Sequence, residues 1–184
     1  MKRICLLFSV FALIACNKED NGISVAPSEL AGTYWKETQR LDYEYCDGLL
    51  TKKFENNFDG TAIGSAGPSV LFFRADAEII KYGSLPPMGN QLDGYRQCRY
   101  FDFDPSQNII RIYQDAATPE MELSLETCTS GKIVWSYGDD RTLNGHLYRI
   151  ETRKTYRRYY PDDTWERSVA GYADYDEIDW SLYQ

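Results

Sequence analysis

Along most of this chain apolar and polar side chains change places every second residue, and turn-forming residues interrupt the alternation at short intervals. Met121, Leu123 and Leu125 face one way while Glu122, Ser124 and Glu126 face the other; Ile133, Trp135 and Tyr137 repeat the pattern after Ser130-Gly131. Alternation with a period of two marks a strand with one buried face. Residues 70–73 and 78–82 flank Ala75-Asp76-Ala77, and residues 100–103 and 109–113 flank Asp104-Pro105-Ser106, so each pair reads as a hairpin. Asp59-Gly60, between residues 54–58 and 61–64, is a further hairpin signal. The longest extended stretch is 147–160, with Tyr148, Ile150, Thr152 and Tyr156 on one face and Arg149, Glu151, Arg153 and Arg157 on the other. No stretch of ten or more residues carries a helical period, and no internal repeat is visible. About eight to ten short strands joined by hairpins predict an all-β domain. An antiparallel up-and-down barrel is the expected form, because successive hairpins become neighbours and closure removes exposed edges. A β-sandwich is the alternative.

The first residues follow another rule. Lys2 and Arg3 precede an uncharged run over 4–15, which is shorter than the roughly 20 apolar residues of a bilayer span and fits an export signal. Leu13-Ile14-Ala15-Cys16 resembles the lipobox of bacterial lipoproteins. That resemblance implies cleavage between Ala15 and Cys16, a diacylglycerol on the Cys16 sulfur and acylation of the new N-terminus. The chain then divides into a signal peptide (1–15), a lipidated flexible tether (16–29) and a single domain (30–184). Two or three acyl chains anchor stably where one does not. Asn17-Lys18-Glu19-Asp20 resembles the export signal of Bacteroidota-type surface lipoproteins, which implies the outer membrane with the domain facing outside, or facing the periplasm as the fallback. Pro27-Ser28-Glu29-Leu30-Ala31-Gly32-Thr33-Tyr34-Trp35-Lys36 is similar to the start of lipocalin-like domains, and Phe58-Asp59-Gly60-Thr61 to small lipocalin-like lipoproteins of the same bacteria. Here Tyr34 takes the place of the family's Trp and Trp35 comes one residue late, a shift that turns a strand residue to the opposite face.

Charge and cysteines narrow the function classes. Loss of Lys2 and Arg3 leaves 18 basic against 28 acidic residues, a net charge of −10. Such a surface repels nucleic acid and anionic head groups, so no nucleic-acid partner is expected. Cys46, Cys98 and Cys128 remain after Cys5 leaves and Cys16 is lipidated. One disulfide is possible in an exported chain, in any of three pairings that each strand one thiol. The single histidine, His146, follows Asn144-Gly145 and reads as a loop residue, and there is no Gly-x-Ser-x-Gly elbow or CxxC pair. The acidic stretch 174–180, Asp139-Asp140 and Asp162-Asp163 have the oxygen donors of a calcium site but the ordinary reading is a solvated surface. A non-enzyme is expected, with no cofactor or metal apart from the lipid on Cys16.

The binding chemistry lies in aromatic and arginine side chains. Tyr supplies 15 residues and Trp four. Trp35 and Trp135 sit on alternating strands and are expected in the core, whereas Trp165, after Pro161-Asp162-Asp163, is expected exposed on a loop. Arg149, Arg153 and Arg157 share a strand face; they either meet an anion or pair with carboxylates on an outer barrel surface. Tyr34, Trp35, Trp165 and these three arginines are the candidate ligand contacts. The expected function is a non-catalytic, lipid-anchored binding module for a small hydrophobic or glycan ligand. The alternative is an interaction protein, inhibitor or accessory subunit that meets a surface-protein partner through a Tyr/Trp-rich face.

Overall fold

The computed structural model describes residues 22–58, 68–85, 94–115 and 118–183, with the backbone alone for residues 182 and 183. The lipobox, the export signal and the Asp59-Gly60 hairpin signal lie outside these residues. Among the described residues ten strands form: β1 (Thr33–Cys46), β2 (Leu49–Asn57), β3 (Val70–Phe73), β4 (Glu78–Ser84), β5 (Gly94–Asp104), β6 (Ile109–Tyr113), β7 (Met121–Cys128), β8 (Lys132–Leu143), β9 (His146–Tyr159) and the two-residue β10 (Ala173–Asp174). Among the described residues there is one α-helix, α1 (Asp163–Val169), between β9 and β10.

Eight strands close into an antiparallel up-and-down barrel in the order β1-β3-β4-β5-β6-β7-β8-β9, with β9 returning to β1. The expected all-β barrel is therefore present, and the hairpins at 74–77 and 105–108 fall where the alternation breaks. β2 stands outside the ring because β1 is shared. Its first residues, 33–36, pair with β3, and 39–46 pair with β2, while β9 runs along the full length of its other side. β7 pairs with only the first part of β8. Residues 39–57 and 137–152 thus continue past the barrel as a four-stranded ribbon, β2-β1-β9-β8. Its tips turn at Asp47-Gly48 and Asn144-Gly145, where both residues of each pair have positive φ (49° and 81°, 53° and 82°). Two-residue turns of this hand match the twist of the strands they join. The Asp47-Gly48 turn was legible in the sequence by the same rule that marks Asp59-Gly60.

Inside the barrel, Trp35, Phe73, Phe101, Ile110, Leu125 and Ile133 fill the end at which β1 enters. Trp35 is wholly buried and donates from Nε1 to Thr33 Oγ1 at 2.6 Å, with the Arg158 guanidinium over its ring at 5.5 Å. The Trp thus faces inward and Tyr34 outward. Within the stretch expected as a tether, Ser24 and Val25 donate to the Cys128 carbonyl and Pro27 is buried. From Gly22 onward the chain is therefore docked on the closed end of the barrel.

α1 packs across the outside of the strands that meet at that entry. Trp165 is 8 % exposed, and its ring meets Tyr34 (5.4 Å), Tyr82 (5.2 Å) and Tyr159 (5.7 Å) edge-on, with Tyr34 stacked on Phe72 at 4.3 Å. This corrects the expected exposed loop position. Asp162, the residue before the helix, accepts from the Trp165 N–H at 2.8 Å and starts a turn too short for periodicity to show. The Trp165 Nε1 is buried without a hydrogen-bond partner among the described residues. Trp165→Ala is expected to cost about 3 kcal/mol by loss of packing. Trp165→Phe, which removes the orphan donor and keeps a ring, should cost under about 1 kcal/mol. Urea unfolding of both variants checks the pair.

Candidate functional site

The site is built by side-chain parity on four strands. A bulge at Thr38 lets Trp35 and Glu37, and then Arg40 and Asp42, all face the barrel axis; their β9 partners there are Tyr156 for Glu37, Lys154 for Arg40 and Thr152 for Asp42. Glu37 is fully buried. It accepts from Arg40 Nε (2.8 Å) and Nη2 (2.9 Å), from the Ser69 N–H (3.1 Å) and from Ser69 Oγ (2.7 Å). Burial alone would raise its pKa, but the hydrogen bonds from Arg40 and Ser69 and the Lys154 and Arg40 charges outweigh it and hold the carboxyl below its ordinary value. Tyr156, also buried, has its hydroxyl 3.4 Å from Ser69 Oγ, and burial raises its pKa well above the ordinary value.

Beside this polar joint lies a cavity of about 120 Å³. Leu71, Ile79, Leu123, Trp135 and Tyr156 give it an apolar floor, and Trp135 and Tyr156 contact each other at 5.0 Å. Its rim is formed at the end opposite the β1 entry, by Lys81 and Gln97, by Ile112, Glu120 and Met121, and by Tyr137 and Lys154. Arg99, 5 % exposed, lines the same wall. It donates to Glu120 Oε2 (2.7 Å), to both Asp176 oxygens (2.8 Å each) and to the Cys98 carbonyl (2.9 Å). Its pKa is raised, first by the Asp176 hydrogen bonds. Lys81 and Lys154 differ from it: each ammonium lies over an aromatic ring, Tyr95 at 5.6 Å and Tyr137 at 5.7 Å. Among the described residues neither makes an ion pair with a carboxylate. Burial lowers the Lys81 pKa. The arrangement is an apolar pocket with two lysine ammonium groups beside the Arg99–Glu120 pair; among the described residues its lining holds no serine, cysteine or histidine.

None of the six residues singled out from the sequence lines this cavity. Tyr34 and Trp165 meet on the outer face, and Trp35 fills the closed end. Arg149, Arg153 and Arg157 lie on the β9 face opposite Thr152, Lys154 and Tyr156. Arg149 pairs with Glu151 (2.8 Å) and Asp140 (3.5 Å), and Arg153 with Glu126 (2.7 Å). The residues that sequence reasoning missed are Lys81, Lys154 and the Glu37–Arg40 pair. The one available signal was a charged residue standing on the apolar side of an alternating strand, as Lys154 does between Thr152 and Tyr156.

The other candidate groups are placed elsewhere. Cys46, Cys98 and Cys128 form no disulfide among the described residues, and burial, with Glu29 nearby, pushes the Cys128 thiol up to about 11. Cys46, Asp47 and His146 bring donor atoms within 4.8 Å of one another at the exposed ribbon tip. Asp47 there accepts from Leu147 N (2.9 Å) and lies 2.7 Å from His146 Nδ1, so it clasps the two tips together. In the acidic C-terminal stretch Asp176 is committed to Arg99, Asp174 to the Asp176 N–H and Asp179 to Ser181. The fold is that of a closed eight-stranded antiparallel barrel. No protein-family model matches the chain, and no curated protein matches it.

Glu37 gives a test of the site's scaffold. Its folded pKa lies below the unfolded value of about 4.3, so its stabilisation is complete above that value and is lost as pH falls through the folded pKa. Glu37→Gln is expected to destabilise the protein by about 2–4 kcal/mol at pH 7. It should also flatten the acid limb of the stability curve below about pH 4. Guanidinium unfolding across pH 3–7 measures both effects.

Proposed function

We propose that this chain is a lipid-anchored binding module of the bacterial cell surface, non-catalytic, whose barrel holds a small and largely apolar ligand at its mouth. The observation that carries the ligand half is the cavity of about 120 Å³, with Leu71, Leu123, Trp135 and Tyr156 below and polar groups around the rim. A cavity of this order holds an apolar body about the size of a benzene ring. A sugar is the less favoured ligand, because Tyr34 stacks on Phe72 and Trp165 is buried among Tyr34, Tyr82 and Tyr159, so neither offers a stacking surface.

The anchor half rests on Leu13-Ile14-Ala15-Cys16 and the charged run after it. The barrel's orientation agrees with that reading. Gly22 lies at the closed end, against Cys128, and six residues of chain span at most about 20 Å. An acyl chain on Cys16 therefore keeps the closed end near the bilayer and turns the mouth and ribbon away from it. A second reading, an interaction protein, draws on the ribbon tip, where Leu49, Leu50, Leu143 and Leu147 are each at least half exposed.

Two measurements test the proposal. Native mass spectrometry of the purified protein should show a retained small molecule, and loss of that species on Trp135→Arg would place it in the cavity; a bare mass would favour the tip instead. Cys16→Ala should move the protein from the membrane to the soluble fraction, whereas unchanged membrane association would refute the anchor.

A further inference from the structure

Resting on the reading of the cavity as the ligand site, we propose that its ligand is a small carboxylate whose head is held by the Lys81 and Lys154 ammonium groups while its apolar body lies on Leu71, Leu123, Trp135 and Tyr156. The two lysines come from β4 and β9, opposite sides of the β3–β1 pair, and both line the same pocket. Two other cations of the barrel interior have their counter-charges in contact, while Arg158, at the closed end away from the pocket, lies over the Trp35 and Tyr160 rings. Arg40 is held in two hydrogen bonds by Glu37, and Arg99 by Glu120 and Asp176. Lys154, only 9 % exposed, has the Tyr137 ring, and Lys81 has the Tyr95 ring.

Desolvation says why this arrangement points to an anion. Removing an ammonium from water is costly, and one cation–π contact returns only part of that cost. The Glu37 and Glu120 carboxylates act on the two ammonium groups only through space, without direct contact, and an incoming carboxylate would supply that contact by charge-assisted hydrogen bonds in a site screened from water. The remaining lining selects the body of the ligand. Five apolar or aromatic side chains on the floor favour a hydrocarbon over a strongly hydrated inorganic anion, which would bring no apolar surface to cover them. The outer surface of the protein is acidic overall, so attraction for an anion is confined to this pocket.

A matched series separates the parts of the idea. Titration calorimetry on the purified full chain would compare phenylacetate, 2-phenylethanol, 2-phenylethylammonium and inorganic phosphate. Phenylacetate is expected to bind about tenfold more tightly than the alcohol, with the cation and phosphate weaker still. Lys81→Met and Lys154→Met should each remove most of that preference while leaving the alcohol's affinity within about twofold, which also reports that the variants are folded. Equal affinity for acid and alcohol would overturn the carboxylate assignment and leave the cavity reading standing. Phosphate binding as tightly as phenylacetate would overturn the apolar body. If none of the four binds, the cavity reading itself falls.

Discussion

The joint at Glu37 sets the shape of this protein. There β1 stops pairing with β3 and starts pairing with β2, and a bulge would leave unpaired backbone in a dry interior. The Glu37 carboxylate supplies what the ladder cannot: it accepts from Ser69, just before β3, and from Arg40 beyond the bulge, while the Glu37 N–H donates to the Ser69 carbonyl at 2.9 Å. A fully buried charge is tolerated because every one of these partners is in place. Because Arg40 and Asp42 follow the bulge on the inner face, the ribbon inherits a polar inner surface and the barrel below it an apolar one. The cavity lies at that boundary.

The same division explains the two aromatic populations. Trp35, Trp135 and Tyr156 face the axis and fill it from the closed end upward. Tyr34, Phe72, Tyr82 and Tyr159 face outward, and four neighbouring strands carrying them would expose a wide apolar patch. Trp165 covers that patch from α1, so the segment after β9 completes the outer face of the barrel. The chain then returns along β5, where Asp176 meets Arg99. One C-terminal segment thus both seals the outside and neutralises a cation of the inner wall.

Strand positions were legible in the sequence because each has its own alternation and its own turn residues, which are local facts. The hairpins around Ala75-Asp76-Ala77 and Asp104-Pro105-Ser106, and the long β9, appear where the pattern puts them. The division of β1 between two partners was not legible, since it depends on a bulge that one residue, Thr38, makes in the middle of an otherwise regular strand. α1 was hidden for a different reason: seven residues are too few to display a helical period, and only the Asp162 cap marks its start.

The site was hidden by the strand that carries it. β9 reads Thr152-Arg153-Lys154-Thr155-Tyr156-Arg157-Arg158, with basic residues on both faces. Alternation assigns Arg153 and Arg157 to one side and Lys154 to the other, but it does not say which side closes into a barrel. An arginine run draws notice as an anion site, yet an exposed arginine finds Glu126 or Glu151 on the surface and its charge is spent there. A lysine turned inward has no such choice; its stem lies along apolar wall, and it touches a ring while the Glu37 carboxylate acts on it only through space. Which cations remain available to a ligand is therefore decided by closure, when β9 meets β1 and sets Lys154 beside a pocket it shares with Lys81, 73 positions away in the chain.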